Sequence, residues 1–85
     1  MNSKQKKTLQ AVFTSPTRSS IAWKDVESLI IALGGIKEEG SGSRVRFILN
    51  GVFAVFHRPH PSKEADRGAV ASVKRFLANA GVKQC

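Results

Sequence analysis

Apolar residues recur at helical spacing in three stretches of the chain and alternate with polar ones in between. Trp23, Val26, Ile30 and Leu33 form a stripe, widened by Ala22 and Leu29, that predicts a helix over about 23–33. Asp25 and Glu27 fall in its first turns, where the helix dipole favours acids, and Gly34-Gly35 supplies the stop. Val70, Val73, Phe76, Leu77 and Ala80 make a second stripe, over about 66–80, ended by Gly81. Leu9, Val12 and Phe13 predict a shorter helix over about 3–14.

Between the two longer helices the period changes to that of strands. Ile36 to Glu39 is a short candidate, followed by the flexible Gly40-Ser41-Gly42. Residues 44–49 and 52–57 flank Asn50-Gly51, the strongest short-range hairpin signal. A two-residue turn there fixes the register: Leu49 faces Val52, and pairing runs outward to Arg44 facing His57. Val45, Phe47, Leu49, Val52, Ala54 and Phe56 then share one wholly apolar face that packs on the helices. Arg44, Arg46, Ile48, Phe53, Val55 and His57 share the other, with cations and a histidine at one end and an apolar patch near the turn. Arg58-Pro59-His60-Pro61 is incompatible with regular helix or central strand. The expected fold is therefore α+β, with an α-β-β-β-α core whose three-stranded antiparallel sheet carries helices on one face, plus an N-terminal helical extension.

Charge adds the first indication of a partner. The 85 residues suffice for one domain, and 41% hydrophobic content argues against general disorder. Fourteen Lys and Arg against six Asp and Glu give a net charge of +8, an excess that attracts polyanions. Nucleic acid is the first reading, with an anionic membrane surface or an acidic protein as alternatives. Residues 1–21 read as a basic extension with Lys4, Lys6, Lys7 and Arg18 and no acid, and residues 22–85 as the domain proper. The extension is either a solvated arm with one apolar face tucked on the core or an arm that touches nucleic acid. Trp23 reads as core, with base stacking as its alternative. The only cysteine, Cys85, is the last residue, which excludes an internal disulfide and a cysteine-based zinc site and suits a reduced compartment. No apolar run approaches the length of a membrane span, and the Lys-rich start lacks the apolar stretch of a signal peptide, so the expected location is the cytoplasm.

Two segments resemble a known family. Pro59-His60-Pro61-Ser62-Lys63-Glu64-Ala65-Asp66-Arg67-Gly68-Ala69-Val70 is similar to the segment that opens the last helix of HicA toxins, and Gly42-Ser43-Arg44-Val45-Arg46-Phe47 to their glycine-serine-led second strand. The resemblance covers roughly residues 22–83. It implies a fold like that of double-stranded RNA-binding domains, metal-free cleavage of mRNA, and silencing by a HicB antitoxin. The family's catalytic histidine follows the glycine-serine pair, and Arg44 stands there in this chain.

Metal-free RNA cleavage needs a base for the 2′-hydroxyl proton, an acid for the leaving oxygen, and cations for the charge on phosphorus. His57 is the candidate base, Arg44 and Arg46 the electrostatic donors, and His60 a second acid–base group. Both histidines have an ordinary alternative: an incidental exposed side chain for His57, a loop brace for His60. Arg44, Arg46, Arg58, Lys63, Lys4, Lys6 and Lys7 are the candidate RNA contacts, and Ile48, Phe53 and Val55 the centre of a surface for a HicB-like antitoxin. No metal or other cofactor is expected. A non-catalytic RNA-binding module is the alternative reading, as is an inactive HicA-like protein that acts by binding its antitoxin.

Overall fold

A computed structural model describes residues 1–83 in the order α1 (Ser3–Phe13), β1 (Ile21–Ala22), α2 (Trp23–Ala32), β2 (Ile36–Glu39), β3 (Arg44–Leu49), β4 (Val52–His57), β5 (Glu64–Ala65) and α3 (Arg67–Asn79). The reading of Cys85 lies outside the described residues. The fold is α+β: β2, β3 and β4 form an antiparallel sheet in that order, and the helices cover one face of it.

The hairpin follows the expected register at every pair from Leu49↔Val52 to Arg44↔His57. Asn50 and Gly51 have φ of 51° and 80°, the two left-handed conformations of a type I′ turn. The Asn50 side chain donates to the Ala80 carbonyl at 2.8 Å, tying the turn to the end of α3. Gly51→Val should therefore cost about 1–3 kcal/mol, because a β-branched residue is strained at positive φ. Nothing lies within 4 Å of a Cβ built there, so the penalty is one of backbone conformation. A thermal melt should show a fall of at least about 5 °C; an unchanged midpoint would argue against the turn.

Alternation then sorts the side chains. Val45, Phe47, Leu49 and Phe56 are buried against Val26, Leu29, Ile30, Val70, Val73, Phe76 and Leu77. Phe56 sits at the centre of an aromatic cluster, with ring centroids 5.6 Å from Trp23, 6.3 Å from Phe47 and 5.8 Å from Phe76. Trp23 is thus a core residue, as its spacing indicated. α2 ends in a Schellman arrangement: Gly34, at φ 101°, donates to the Ile31 carbonyl, and Gly35 to that of Ile30. Asp66 caps α3 by accepting from the Ala69 N–H at 2.8 Å.

Two further contacts complete the core, the first in line with an N-terminal helix whose apolar face is tucked on the core, the second with no counterpart in the sequence pattern. Helix α1 packs on both α2 and α3, with Leu9 and Val12 in the common core. Lys4 reaches Asp25 at 3.5 Å, and Gln5 donates to Ser28 at 3.0 Å. The second is a small antiparallel pairing of β1 with β5, Ile21 opposite Ala65 and Ala22 opposite Glu64. Ala22 therefore belongs to a strand and not to the helical stripe. This pairing, extended by Ser20 N–H to Ala65 C=O and Trp23 N–H to Lys63 C=O, fastens the 58–66 segment to the start of α2. No helix among the described residues is long and apolar enough to cross a membrane.

Candidate functional site

The uncovered face of the hairpin brings the first two candidates together. The Arg58 N–H donates to the Ser43 carbonyl at 2.8 Å, making those residues a hydrogen-bonded pair. The next pair inward, Arg44 and His57, is then a non-hydrogen-bonded one, in which side chains stand closest. Both are exposed. Arg44 has no acidic partner within 4.0 Å among the described residues.

His60 reaches the same neighbourhood from the loop after β4. A cleft of about 450 Å³ is lined by His57 and His60 together with Ser19, Ser20, Ser62 and Asp66. It lies where the end of β4, the segment before β1 and the start of α3 converge. Two imidazoles and three hydroxyls around one open cleft can accept and donate protons to a bound phosphodiester.

The remaining basic candidates divide by how far neighbouring acids engage them. Arg58 is fully engaged: its Nε donates to Glu27 at 2.8 Å, and its Nη1 and Nη2 to Glu39 at 2.7 and 2.9 Å. These carboxylates, Glu39 first and Glu27 next, push the guanidinium above its ordinary pKa. Arg58 in turn holds the Glu39 carboxyl below its usual value, chiefly through the hydrogen bond. Glu27 is a hub, since it also accepts from the Trp23 indole N–H at 2.5 Å and lies 3.5 Å from Lys37 Nζ. Arg58 thus joins the end of β4 to α2 and β2. Nothing in residue spacing pointed to Glu27 and Glu39 as its partners.

Arg46 is partly engaged, 3.5 Å from Glu38 and with its guanidinium 4.7 Å from the Phe53 ring centroid. Lys4 faces Asp25, whereas Lys6, Lys7 and Lys63 are exposed without an acidic partner among the described residues. Phe53 and Val55 are 63% and 56% exposed, and Ile48 half-buried beside them, so the expected apolar patch is present on the open face. It borders the free edge of the sheet. β2, the other edge, carries Lys37, Glu38 and Glu39, while β4 has no Lys, Pro or acid. Charged residues discourage strand addition; an edge without them is open to it.

No curated protein and no solved structure matches the chain. Residues 23–82 match the family described as HicA toxin of bacterial toxin-antitoxin, a span that runs from α2 through the hairpin and the 58–66 segment to the end of α3, and the chain belongs to that family.

Proposed function

We propose that this toxin binds mRNA and cleaves it without a metal, and that an acidic HicB-like antitoxin silences it by covering the same face. The observation that carries the reading is the pairing of Arg44 with His57 on an exposed strand face, beside a cleft that His57 shares with His60. In the proposed chemistry His57 takes the 2′-hydroxyl proton and the 2′-oxygen attacks phosphorus. The P–O5′ bond breaks, and His60 donates a proton to the departing 5′-oxygen. Arg44 and Arg46 hold the phosphoryl oxygens, Arg44 in the bidentate manner guanidinium allows. The products are a 2′,3′-cyclic phosphate and a 5′-hydroxyl. The net charge of +8 favours RNA capture.

The antitoxin part rests on Phe53, Val55 and Ile48. Val55 lies in a non-hydrogen-bonded pair with Arg46, so its own N–H and C=O point out of the sheet at the free edge of β4. A partner that places a strand there covers the apolar patch and shadows Arg44 and His57.

Arg44 at the family's histidine position favours a second reading, an RNA-binding module that does not cut. One experiment separates them: purified protein with a single-stranded mRNA fragment in excess chelator. Cleavage to cyclic-phosphate ends, suppressed by the product of the adjacent reading frame, is the expected result. Salt-dependent binding with intact RNA would establish the second reading.

A further inference from the structure

The loop that carries His60 has a second side. Trp23 N–H donates to the Lys63 carbonyl at 2.9 Å, and Ala22 pairs with Glu64, so the loop is pinned against the first turn of α2. Its entry is held by Arg58, through Glu27 on that same helix. Between loop and helix opens a cleft of about 780 Å³. Ala22, Trp23, Pro59 and Pro61 give it an apolar floor, and Lys24 and Lys63 stand at its rim. Both lysines are exposed and have no acidic partner within 4.0 Å among the described residues. Of the two acids that line it, Glu27 is already occupied by Arg58, Trp23 and Lys37, and Glu64 is exposed.

Pro59-His60-Pro61 forms the ridge between this cleft and the one His57 shares, and all three residues line both. A strand with a phosphodiester at His57 and His60 therefore has the apolar cleft within reach of a neighbouring nucleotide. We propose that this cleft is a nucleobase subsite: it takes one unpaired base of the RNA strand against the Pro59 and Pro61 rings, with the edge of the otherwise buried Trp23 at its floor, while Lys24 and Lys63 hold the flanking phosphates. The proposal rests on the RNA reading above and adds where, and in what form, RNA is held.

The chemistry favours an unpaired base over its rivals. A base offers a flat apolar face and is tethered to anions, so floor and rim are both satisfied. A base inside a duplex is stacked between its neighbours and cannot enter. An apolar side chain from a protein would fill the floor yet bring no anion to the two exposed ammonium groups at the rim, so it would use only half of what the cleft offers. The cleft therefore selects single-stranded RNA and places its cut beside a splayed nucleotide.

Trp23 is the only tryptophan in the chain, and it gives the site its own reporter. Its ring is fixed by the bond to Glu27 and the edge contact with Phe56, so its emission reports on the cleft and not on ring mobility. The full-length protein should be titrated with a 2′-O-methyl hexanucleotide, which lacks the nucleophile and cannot be cut. The same backbone without bases, and inorganic phosphate, serve as comparison probes. The base-bearing strand should change Trp23 emission and bind about tenfold tighter than the abasic one. Phosphate alone should leave the emission unchanged. Lys24→Ala and Lys63→Ala should each reduce the salt dependence of binding by about one charge, with unchanged melting temperature. Equal affinity for the two strands, with silent Trp23 emission and neutral lysine variants, would overturn the subsite while leaving the RNA reading intact. Failure of both strands to bind would overturn the two together.

Discussion

A chain lacking residues 1–14 should lose its cooperative melting transition or melt at least about 15 °C lower than the full-length protein. The segment is basic and begins the chain, features that suggest a dispensable arm. Its apolar residues are nevertheless part of the core: Leu9 is 3% exposed and Val12 not at all. Losing a buried Leu side chain costs about 2–5 kcal/mol, and here Val12 goes as well, baring the α2 and α3 surfaces beneath. A domain of this size has a total stability at the low end of about 5–15 kcal/mol. The loss is therefore comparable with the whole margin, and each kcal/mol shifts the midpoint by about 4–8 °C. Val12→Asp should reproduce most of the effect in a full-length chain. Exchanging Lys6 and Lys7 for Ala should leave the midpoint within about 2 °C, because both are exposed and without ion-pair partners among the described residues. A truncated chain that melts within a few degrees of the intact one would sink the idea. It follows that any role of this helix in RNA capture must be tested by charge substitution and not by deletion.

The same helix shows what a sequence can and cannot disclose. Leu9, Val12 and Phe13 announce a helix by their spacing, but spacing is a property of one segment and says nothing of which surface receives it. The hairpin was fully legible because its information is local. Asn50-Gly51 sets the turn, and alternation on both sides leaves a single register that buries one face. That register alone put Arg44 opposite His57. The site was only half visible for the opposite reason. His60 joins His57 because β1 and β5 pin the loop, and two-residue strands leave no periodic trace. Arg58 looked like a free cation because its partners, Glu27 and Glu39, lie 31 and 19 positions away. The clefts on either side of Pro59-His60-Pro61 are properties of the assembled molecule, legible only once α2, the loop and α3 are placed together.

His57→Ala should abolish RNA cleavage and growth arrest on expression while leaving both the fold and RNA binding in place. The family's histidine follows the glycine-serine pair, and here Arg44 occupies that position. The hairpin register sets His57 directly across from it, in a pair of the kind whose Cα atoms stand about 4.5 Å apart. Side chains from the two positions can thus reach one phosphodiester, so in the proposed reaction the chemistry keeps its place on the sheet while the base comes from the neighbouring strand. His57 is exposed and makes no side-chain hydrogen bond among the described residues, so removing it does not disturb the core. Loss of a general base typically lowers the rate about 10²–10⁴-fold, enough to silence a toxin. Arg44→Ala should weaken both binding and cleavage, since a guanidinium that grips phosphate contributes to each. His60→Ala should slow cleavage through the leaving group, and an activated 5′-leaving group with a low-pKa alcohol should restore that variant but not His57→Ala. The reverse pattern, an active His57→Ala protein with an inactive His60→Ala, would move the base into the loop. Full activity in both single variants, with binding retained in each, would show that cutting depends on neither imidazole.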